Sequence, residues 1–521
     1  MDVAPKQLAR IHRNISVFVI FVILFTSIVL VNNRTERDIT ILSLSLTGLF
    51  RIHSSLKPIK GIFMFFNSNT TKPFTELRNK SSTHLDFLRS HKVRLLPTSP
   101  LFIVGVPQTF EVAEGLSSTL YVYGALWNVQ NVRLTSIKVQ GYNFKHLLCV
   151  FYSHEGKKSE GTYVKAIVQE LHTYKSPYTS ASIKCPIRQQ GYNKRVSLFV
   201  GLVESKQSQP KKVFYVENRN TNNIGKNYVS SRGIPEREAS SVEFTVCVPA
   251  MFNLSNAAQL VEHVEMIRLL GARRLVLYNA SISTNVDSVL RMYAREWEEG
   301  RETLQVVVLP WALPLENGTR INIPYWAQQL AIDDCMCRYK RLSKFMVFND
   351  LDEFLIPLKH ANWSALVAER RRLKPQSIGW LFRSSVMNKD TPSPAPGFEE
   401  DSRRYGSSVL GLTMRDSHIY PPDHRPKLIV DPTTIEEMGV HLIWEGGGST
   451  DNLPVDVGLL FHYRAPLSEC RARVKETRVV TKYGKRLKGR LKQVWSKLPG
   501  VKLGTLPFKG YNSSKCKLEI P

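Results

Sequence analysis

Between residues 242 and 349 the apolar residues switch repeatedly between two spacings, and this alternation constrains the fold more than any other feature of the chain. Residues 242–249 form an unbroken apolar run of strand length. Over 253–270 the apolar positions Leu260, Val264, Ile267 and Leu270 recur at helical spacing, and Gly271 follows as a helix stop. A second strand at 274–278, a second helix at 286–297 and a third strand at 304–309 repeat the pattern. A further helix is predicted over 325–339, with Trp326, Leu330 and Cys337 on one stripe. A buried strand at 344–349 then runs straight into Asp350-Leu-Asp-Glu-Phe. Strands that alternate with helices require right-handed crossovers and a mainly parallel sheet, so residues 241–470 are expected to be an α/β domain.

The stretch before it reads differently. Thr119-Leu-Tyr-Val-Tyr, Thr135-Ser-Ile-Lys-Val, Leu147-Leu-Cys-Val-Phe-Tyr and Val196-Ser-Leu-Phe-Val are short, rich in β-branched and aromatic residues, and separated by polar, Gly-containing segments. Residues 100–240 are therefore expected to form an all-β, sandwich-like accessory domain. Residues 32–99 mix short apolar runs with Ser, Thr, Asn and Lys and read as a stem or linker.

Residues 15–31 contain only Val, Ile, Leu and Phe apart from Ser16, Thr26 and Ser27, which just reaches the length needed to cross hydrocarbon. Lys6, Arg10 and Arg13 precede the run, so residues 1–14 are expected in the cytosol and the rest of the chain in the secretory lumen. A cleaved signal peptide is the rival reading, but the run is longer than a typical signal core and no small-x-small site follows it. Asn-x-Ser/Thr triplets begin at Asn33, Asn69, Asn79, Asn253, Asn279, Asn317, Asn362 and Asn512, which agrees with a lumenal address. Seven cysteines without a Cys-x-x-Cys pair fit an oxidising compartment better than a zinc site. Cys149 with Cys185, and Cys470 with Cys516, are candidate bridges. The formal net charge of +27 would otherwise suggest nucleic acid, but a lumenal chain excludes that partner. Much of this charge lies in residues 471–521, a basic tail in which Leu487, Leu491, Val494 and Leu498 fall at helical spacing. Such a helix either lies on an anionic bilayer or docks its apolar stripe on the neighbouring domain, and docking is the favoured expectation.

Ligands of an open α/β sheet sit at the carboxyl ends of its strands, where Asp350 and Asp352 are delivered. Their i, i+2 spacing at a strand end lets two carboxylates converge. Hard oxygen donors suit Mn²⁺ or Mg²⁺, and such a cation can bridge to the phosphates of a nucleotide diphosphate. It would stabilise the charge that grows on a departing diphosphate.

Val246-Cys-Val-Pro, Leu277-Tyr-Asn-Ala-Ser, Tyr325-Trp-Ala-Gln-Gln with Asp334-Cys335, Phe348-Asn-Asp-Leu-Asp-Glu-Phe-Leu and Phe461-His-Tyr-Arg resemble glycosyltransferase family 92. The resemblance implies a GT-A, Rossmann-like catalytic domain and an inverting transfer of galactose from UDP-galactose to a galactose- or fucose-bearing glycan through a β1,4 linkage. With the anchor expected at 15–31, the chain is expected to be a single-pass type II Golgi membrane protein. Metal ligands are then expected at Asp350, Asp352 and a late histidine, His462, with His441 as the rival. Asp350, Lys427 and Asp334 are expected at the UDP-sugar, Lys427 offsetting diphosphate charge and Asp334 holding a ribose or a basic residue. An inverting transfer needs a base at the acceptor hydroxyl. Glu445, heading Gly446-Gly-Gly, is the expected base among Asp416, Glu445, Asp451 and Asp456. Trp380 is a candidate platform for an acceptor sugar, though core packing is the better reading. The rival function is a lumenal glycan-binding protein with a catalytically silent GT-A domain.

Overall fold

Strand β1 (Val242–Met251) shows why the chain folds in three layers. Phe244, Val246 and Val248 point to one face of the sheet and Cys247 to the other, and all four are buried in two separate cores. The computed structural model describes residues 109–128, 130–152, 161–172, 175–187, 199–217, 242–389, 393–464 and 472–504. The expected anchor at 15–31, the stem, the Cys470–Cys516 pair and the sequons at Asn33, Asn69, Asn79 and Asn512 lie outside these residues. Among the described residues no helix is long and apolar enough to cross a membrane.

After β1 come α1 (Ala257–Leu270), β2 (Arg274–Asn279), α2 (Thr284–Glu298), β3 (Gln305–Pro310), α3 (Gln328–Tyr339) and β4 (Ser343–Phe348). The helix boundaries follow local chemistry. Asn256 caps α1 through its side chain, Gly271 ends it in the left-handed conformation, and Ser283 caps α2. Strand β5 (Glu353–Pro357), α4 (Trp363–Leu373), β6 (Ser377–Phe382), β7 (Ser384–Asn388), β8 (Lys427–Val430), β9 (Ser449–Asn452), β10 (Gly458–Arg464) and α5 (Arg478–Ser496) complete the part that positions the site.

The main sheet has seven strands in the order β3-β2-β1-β4-β8-β6-β9. All neighbours are parallel except β8, which runs antiparallel to both β4 and β6. The mainly parallel sheet expected from the sequence is therefore present, with one reversed strand. The reversal has a consequence for the site. Because β8 runs backwards, its first residue, Lys427, stands at the edge where the parallel strands end. Strand order also reverses at β1, between β2 and β4, so a crevice opens at the carboxyl ends of β1 and β4. A second, five-stranded sheet contains β5, β10 and β7, and its register sets Glu353 directly opposite His462.

The basic helix α5 docks instead of standing free. Val480, Tyr483, Leu487, Leu491 and Val494 join the same core as α1 and α2. At roughly 1.5–3 kcal/mol for each large apolar side chain, that stripe outweighs any exposed charge pairing. Arg490 pairs with Glu265 and Glu302, and Lys497 with Glu296, so part of the tail's charge is matched inside the fold.

The described residues of 111–217 are strand and connection. Their nine strands form one sheet in which Thr162–Lys165 pairs with Leu148–Tyr152 at one end and Ile167–His172 pairs with Tyr178–Pro186 at the other. Only Ala166 separates those two strands, so the stretch joins the sheet's ends around a core that includes Leu120, Leu134 and Phe151. The expected Cys149–Cys185 bridge is formed inside it. A second bridge, Cys247–Cys335, ties β1 to α3 and was not anticipated; Cys337 is a free thiol.

Helix α3 lies between the main sheet and the all-β region and is buried on nearly every side. Its acids are therefore paired within the protein, although one Asp333 oxygen is buried without a partner. Asp333 pairs with Arg133 at 2.5 Å, and Arg338 reaches Glu217 at 2.7 Å. Asp334 accepts from Arg338 at 2.8 and 3.0 Å, from the Tyr278 hydroxyl at 2.6 Å and from Thr135 at 3.1 Å. The expectation that Asp334 contacts the nucleotide is corrected here. It does hold a basic residue, Arg338, but it is fully enclosed with both oxygens occupied, and no ligand oxygen can reach it.

Candidate active site

Strand β4 ends at Phe348, and the chain turns at once. The Asn349 side-chain amide donates to the Glu353 carbonyl at 2.7 Å, and the Asp350 amide donates to the Glu353 carboxylate at 3.0 Å. This tight turn leaves the Asp350 and Asp352 side chains 40% and 26% exposed while Glu353 is buried. Both acids are thus delivered to the carboxyl edge, Asp350 beside Lys427 and Asp352 beside His462.

Glu353 is the centre of the cluster. One of its oxygens lies 3.4 Å from Lys427 Nζ and the other 3.4 Å from His462 Nδ1. His462 Nε2 in turn lies 3.5 Å from Asp352 Oδ1, and Lys427 Nζ lies 3.5 Å from Asp350 Oδ2. Burial raises the Glu353 carboxyl pKa against the pull of Lys427. Burial alone would lower the ammonium pKa of Lys427, but Asp350 and Glu353 outweigh it and raise that value, so Lys427 stays a cation at neutral pH. The lysine is buried at the centre of these acids. At Asp352 burial acts upward, yet contact with the His462 imidazole holds the carboxyl below the ordinary carboxylate range.

A divalent cation fits this donor set. Asp352 Oδ1 and His462 Nε2 are separated by 3.5 Å, a span that two ligands of one cation hold with bonds of about 2.1 Å. Glu353 at the far nitrogen is the kind of carboxylate that fixes a ligating imidazole's tautomer and orientation. Asp350 is turned toward Lys427. Among the described residues no three His, Cys, Asp or Glu side chains are gathered tightly enough to cage a metal. That suits a cation whose remaining ligands are water and phosphate oxygens, as for Mg²⁺-like ions that keep only one or two carboxylates.

Of the two candidate histidines, His462 stands beside Asp352. His441 instead bonds Pro426 O through Nδ1 at 3.1 Å, and burial together with the Lys427 charge pushes its imidazole down to about 4. The expected base, Glu445, is exposed on the strand Ile443–Gly446, opposite Glu437 in a two-stranded hairpin. Among the described residues no hydrogen bond or ion pair joins it to the cluster, so the structure does not bring Glu445 to the site. Asp451 is locked by Arg370 and Lys374, Asp456 pairs with Lys359, and Asp416 is buried on its own strand. Trp380 is fully buried against Phe345 and Arg371, as core packing requires.

Two supporting residues escaped the sequence reading. Glu353 was visible as part of Asp-Leu-Asp-Glu-Phe, but its task depends on cross-strand register with His462. His263, on α1, bonds the carbonyl of Leu351, the residue between the two aspartates, at 3.1 Å, and its ring stacks on Phe354. Burial pushes its imidazole down to about 4, so it is neutral and braces the turn.

Residues 242–496 match the family model described as Glycosyltransferase family 92. The chain is 25% identical over 251 residues to the Galactan beta-1,4-galactosyltransferase GALS2 of Arabidopsis thaliana, covering 47% of this chain and 45% of that protein. It is 27% identical over 202 residues to the Beta-1,4-galactosyltransferase galt-1 of Caenorhabditis elegans, covering 38% and 42%. The chain therefore spans less than half the length of these relatives. A solved structure of GalNAc-T7 with UDP, GalNAc and Mn²⁺ is 13% identical and overlays at a TM-score of 0.25, covering 52% of this chain and 54% of that one. That score is too low to bear on the fold.

Proposed function

We propose that this chain, which carries a glycosyltransferase family 92 domain over residues 242–496, transfers galactose from UDP-galactose to a galactose- or fucose-bearing glycan. The observation that carries the reading is the pairing of Asp352 with His462, braced by Glu353, at the crevice where the order of the parallel strands reverses. The family match supports a GT-A fold and an inverting β1,4 transfer, and the galactosyltransferase names of both relatives support the choice of donor. Asp352 and His462 would hold Mn²⁺ or Mg²⁺, which, when bound, withdraws charge from the departing diphosphate. Lys427 supplies a fixed, buried positive charge at the same edge, and Asp350 is held where it can contact either the cation or the nucleotide. Two buried disulfides and exposed sequons at Asn253 and Asn317 support a lumenal, Golgi address for a type II membrane protein.

The test is turnover by the full-length chain of a panel of UDP-sugars, with galactose- and fucose-terminated glycans, in Mn²⁺ and after chelation. UDP-galactose is expected to be the preferred donor, chelation to stop transfer, and Asp352→Ala to abolish it without loss of fold. Undiminished turnover by that variant, or preference for another sugar, would overturn the reading.

A further inference from the structure

Helix α5 (Arg478–Ser496) carries seven Lys and Arg and no acid, and the fold uses these cations unequally. Four are matched within the protein. Arg478 pairs with Glu476, Lys488 with Asp401, and Arg490 with Glu265 and Glu302, while Lys482 donates to the carbonyls of Pro357 and His360. Lys485, Arg486 and Lys492 are exposed, and among the described residues no ion pair joins any of them to a carboxylate. The Arg486 guanidinium rests over the Tyr483 ring at 5.5 Å.

The three unmatched cations share one patch. Positions three and four apart are neighbours on a helix surface, so Lys485, Arg486, Lys492 and Gln493 surround a single residue, Gly489. Gln493 Oε1 accepts from Arg490 at 3.2 Å, which leaves its amide hydrogens to be donated. Gly489 has no internal reason to be glycine. Glycine weakens a helix interior relative to alanine, yet a Cβ at 489 would meet no atom within 4 Å. Gly484 is the contrast: a Cβ there would lie 2.9 Å from Val480 and 3.1 Å from Phe398, so packing demands it. At Gly489 the close approach that glycine permits comes from outside, against bare helix backbone framed by donors.

The chemistry of the face selects among polyanions. Val480, Tyr483, Leu487, Leu491 and Val494 are buried in the core, so that apolar stripe is not free to enter a bilayer. No aromatic ring stands among the exposed cations to stack on a base. A chain of sulfated sugars needs neither. It offers anionic groups to Lys and Arg and hydroxyls to the Gln493 amide, and it runs along an axis as the cations do, Lys485 and Lys492 being about 10.5 Å apart along the helix. We infer that the outward face of α5 around Gly489 binds a linear sulfated polysaccharide. None of these residues contacts the Asp350–His462 cluster, so the inference does not depend on the galactosyltransferase reading.

The test is binding of a heparin oligosaccharide to the full-length chain, without donor or turnover, at about 0.15 M salt. Poly-glutamate, a DNA duplex and vesicles with about 30% phosphatidylserine serve as competitors at equal charge. Heparin should bind tightest. The triple variant Lys485→Gln, Arg486→Gln, Lys492→Gln should weaken binding at least about tenfold and flatten the slope of log affinity against log salt by about 2. Removing the same charge from the all-β region, by Lys145→Gln, Lys206→Gln and Lys211→Gln, should change little. Gly489→Gln fills the gap with a better helix former, so the melting temperature should rise while heparin affinity falls several-fold. Equal losses in the two triple variants would overturn the proposal, since net charge alone would then explain binding. So would a Gly489→Gln chain that gains stability and keeps its affinity, the behaviour of a merely solvated face. Stronger competition by DNA, poly-glutamate or vesicles than by the sugar would overturn it as well.

Discussion

Two pairs of aspartates, Asp333 with Asp334 and Asp350 with Asp352, lie within twenty residues of each other and meet opposite fates. The first pair sits on α3 between the main sheet and the all-β region, where Arg133 pairs with one oxygen of Asp333 and Arg338, Tyr278 and Thr135 occupy both oxygens of Asp334. The second sits at the end of β4, part-exposed, with contacts of 3.5 Å to His462 and Lys427. Residue type does not separate them; enclosure by the protein does. Four donors leave Asp334 nothing to give a ligand. Loose contacts at an open edge leave Asp352 free to exchange a protein partner for a cation. The sealed pair joins two regions, and the open pair keeps oxygens within reach of a ligand.

The contrast breaks first on activity. Asp352→Asn removes a charged ligand without changing shape, so kcat/KM for galactosyl transfer should fall about a thousandfold, as when a key electrostatic stabiliser is lost. Thermal unfolding should stay within a few degrees of wild type, because the site chain is part-exposed and makes no tight contact. If the melting temperature fell sharply, Asp352 would belong with the sealed pair. The converse variant, Asp334→Ala, strips the partner from a fully buried Arg338. It should cost about 3–5 kcal/mol of stability, read by denaturant unfolding, because an uncompensated buried charge remains. Transfer per folded molecule should survive, since Asp334 does not reach the crevice.

How legible this was from sequence depends on whether a property is local. The strand–helix alternation, the reach of β4 into Asp350-Leu-Asp, and the docking of α5 were all readable, because each rests on the spacing of apolar residues. Asp334 was misplaced because i, i+4 pairing with Arg338 and burial beneath the all-β region are set by packing that no short window contains. His462 was read from a family motif, but the role of Glu353 appears only when β5 and β10 pair in register. Nothing in residues 325–327 announces a left-handed run, and they were read as helix. The surrounding aromatic stack, assembled from residues 252, 311 and 320, imposes that conformation. The Cys247–Cys335 bridge was missed for the same reason, as its halves are separated by 88 positions.

A smaller effect sharpens the comparison from within the open site. His263 touches no ligand but holds the Leu351 carbonyl between the two aspartates. His263→Ala should weaken Mn²⁺ affinity about 10–100-fold, the usual cost of removing a group that orients metal ligands. Titration of the metal followed by calorimetry checks this apart from turnover. The same residue makes stability depend on pH. Its folded-state pKa is depressed from 6.5 to about 4, so the unfolded chain binds the extra proton first. The contribution is complete above about pH 6.5 and is lost as pH falls through 4, by up to about 3 kcal/mol. Urea midpoints between pH 7 and 4 should fall less steeply in the variant.

The smallest expected effect concerns Glu445. By sequence it heads a glycine run suited to closing over a donor; in the fold it stands exposed on a hairpin strand opposite Glu437. Two acids facing across an antiparallel pair repel, so removing one charge should leave stability unchanged or slightly higher. A general base contributes typically 10²–10⁴-fold to rate, and it must come within hydrogen-bond reach of the proton it takes. Glu445→Gln should therefore change kcat by less than about twofold, because a carboxylate with no path to the crevice supplies none of that factor. A loss of a hundredfold with an unchanged KM for UDP-galactose would mean that the hairpin folds down over bound donor. Glu445 would then act in a closed state, and the difference between open and sealed acids would have to be drawn there instead.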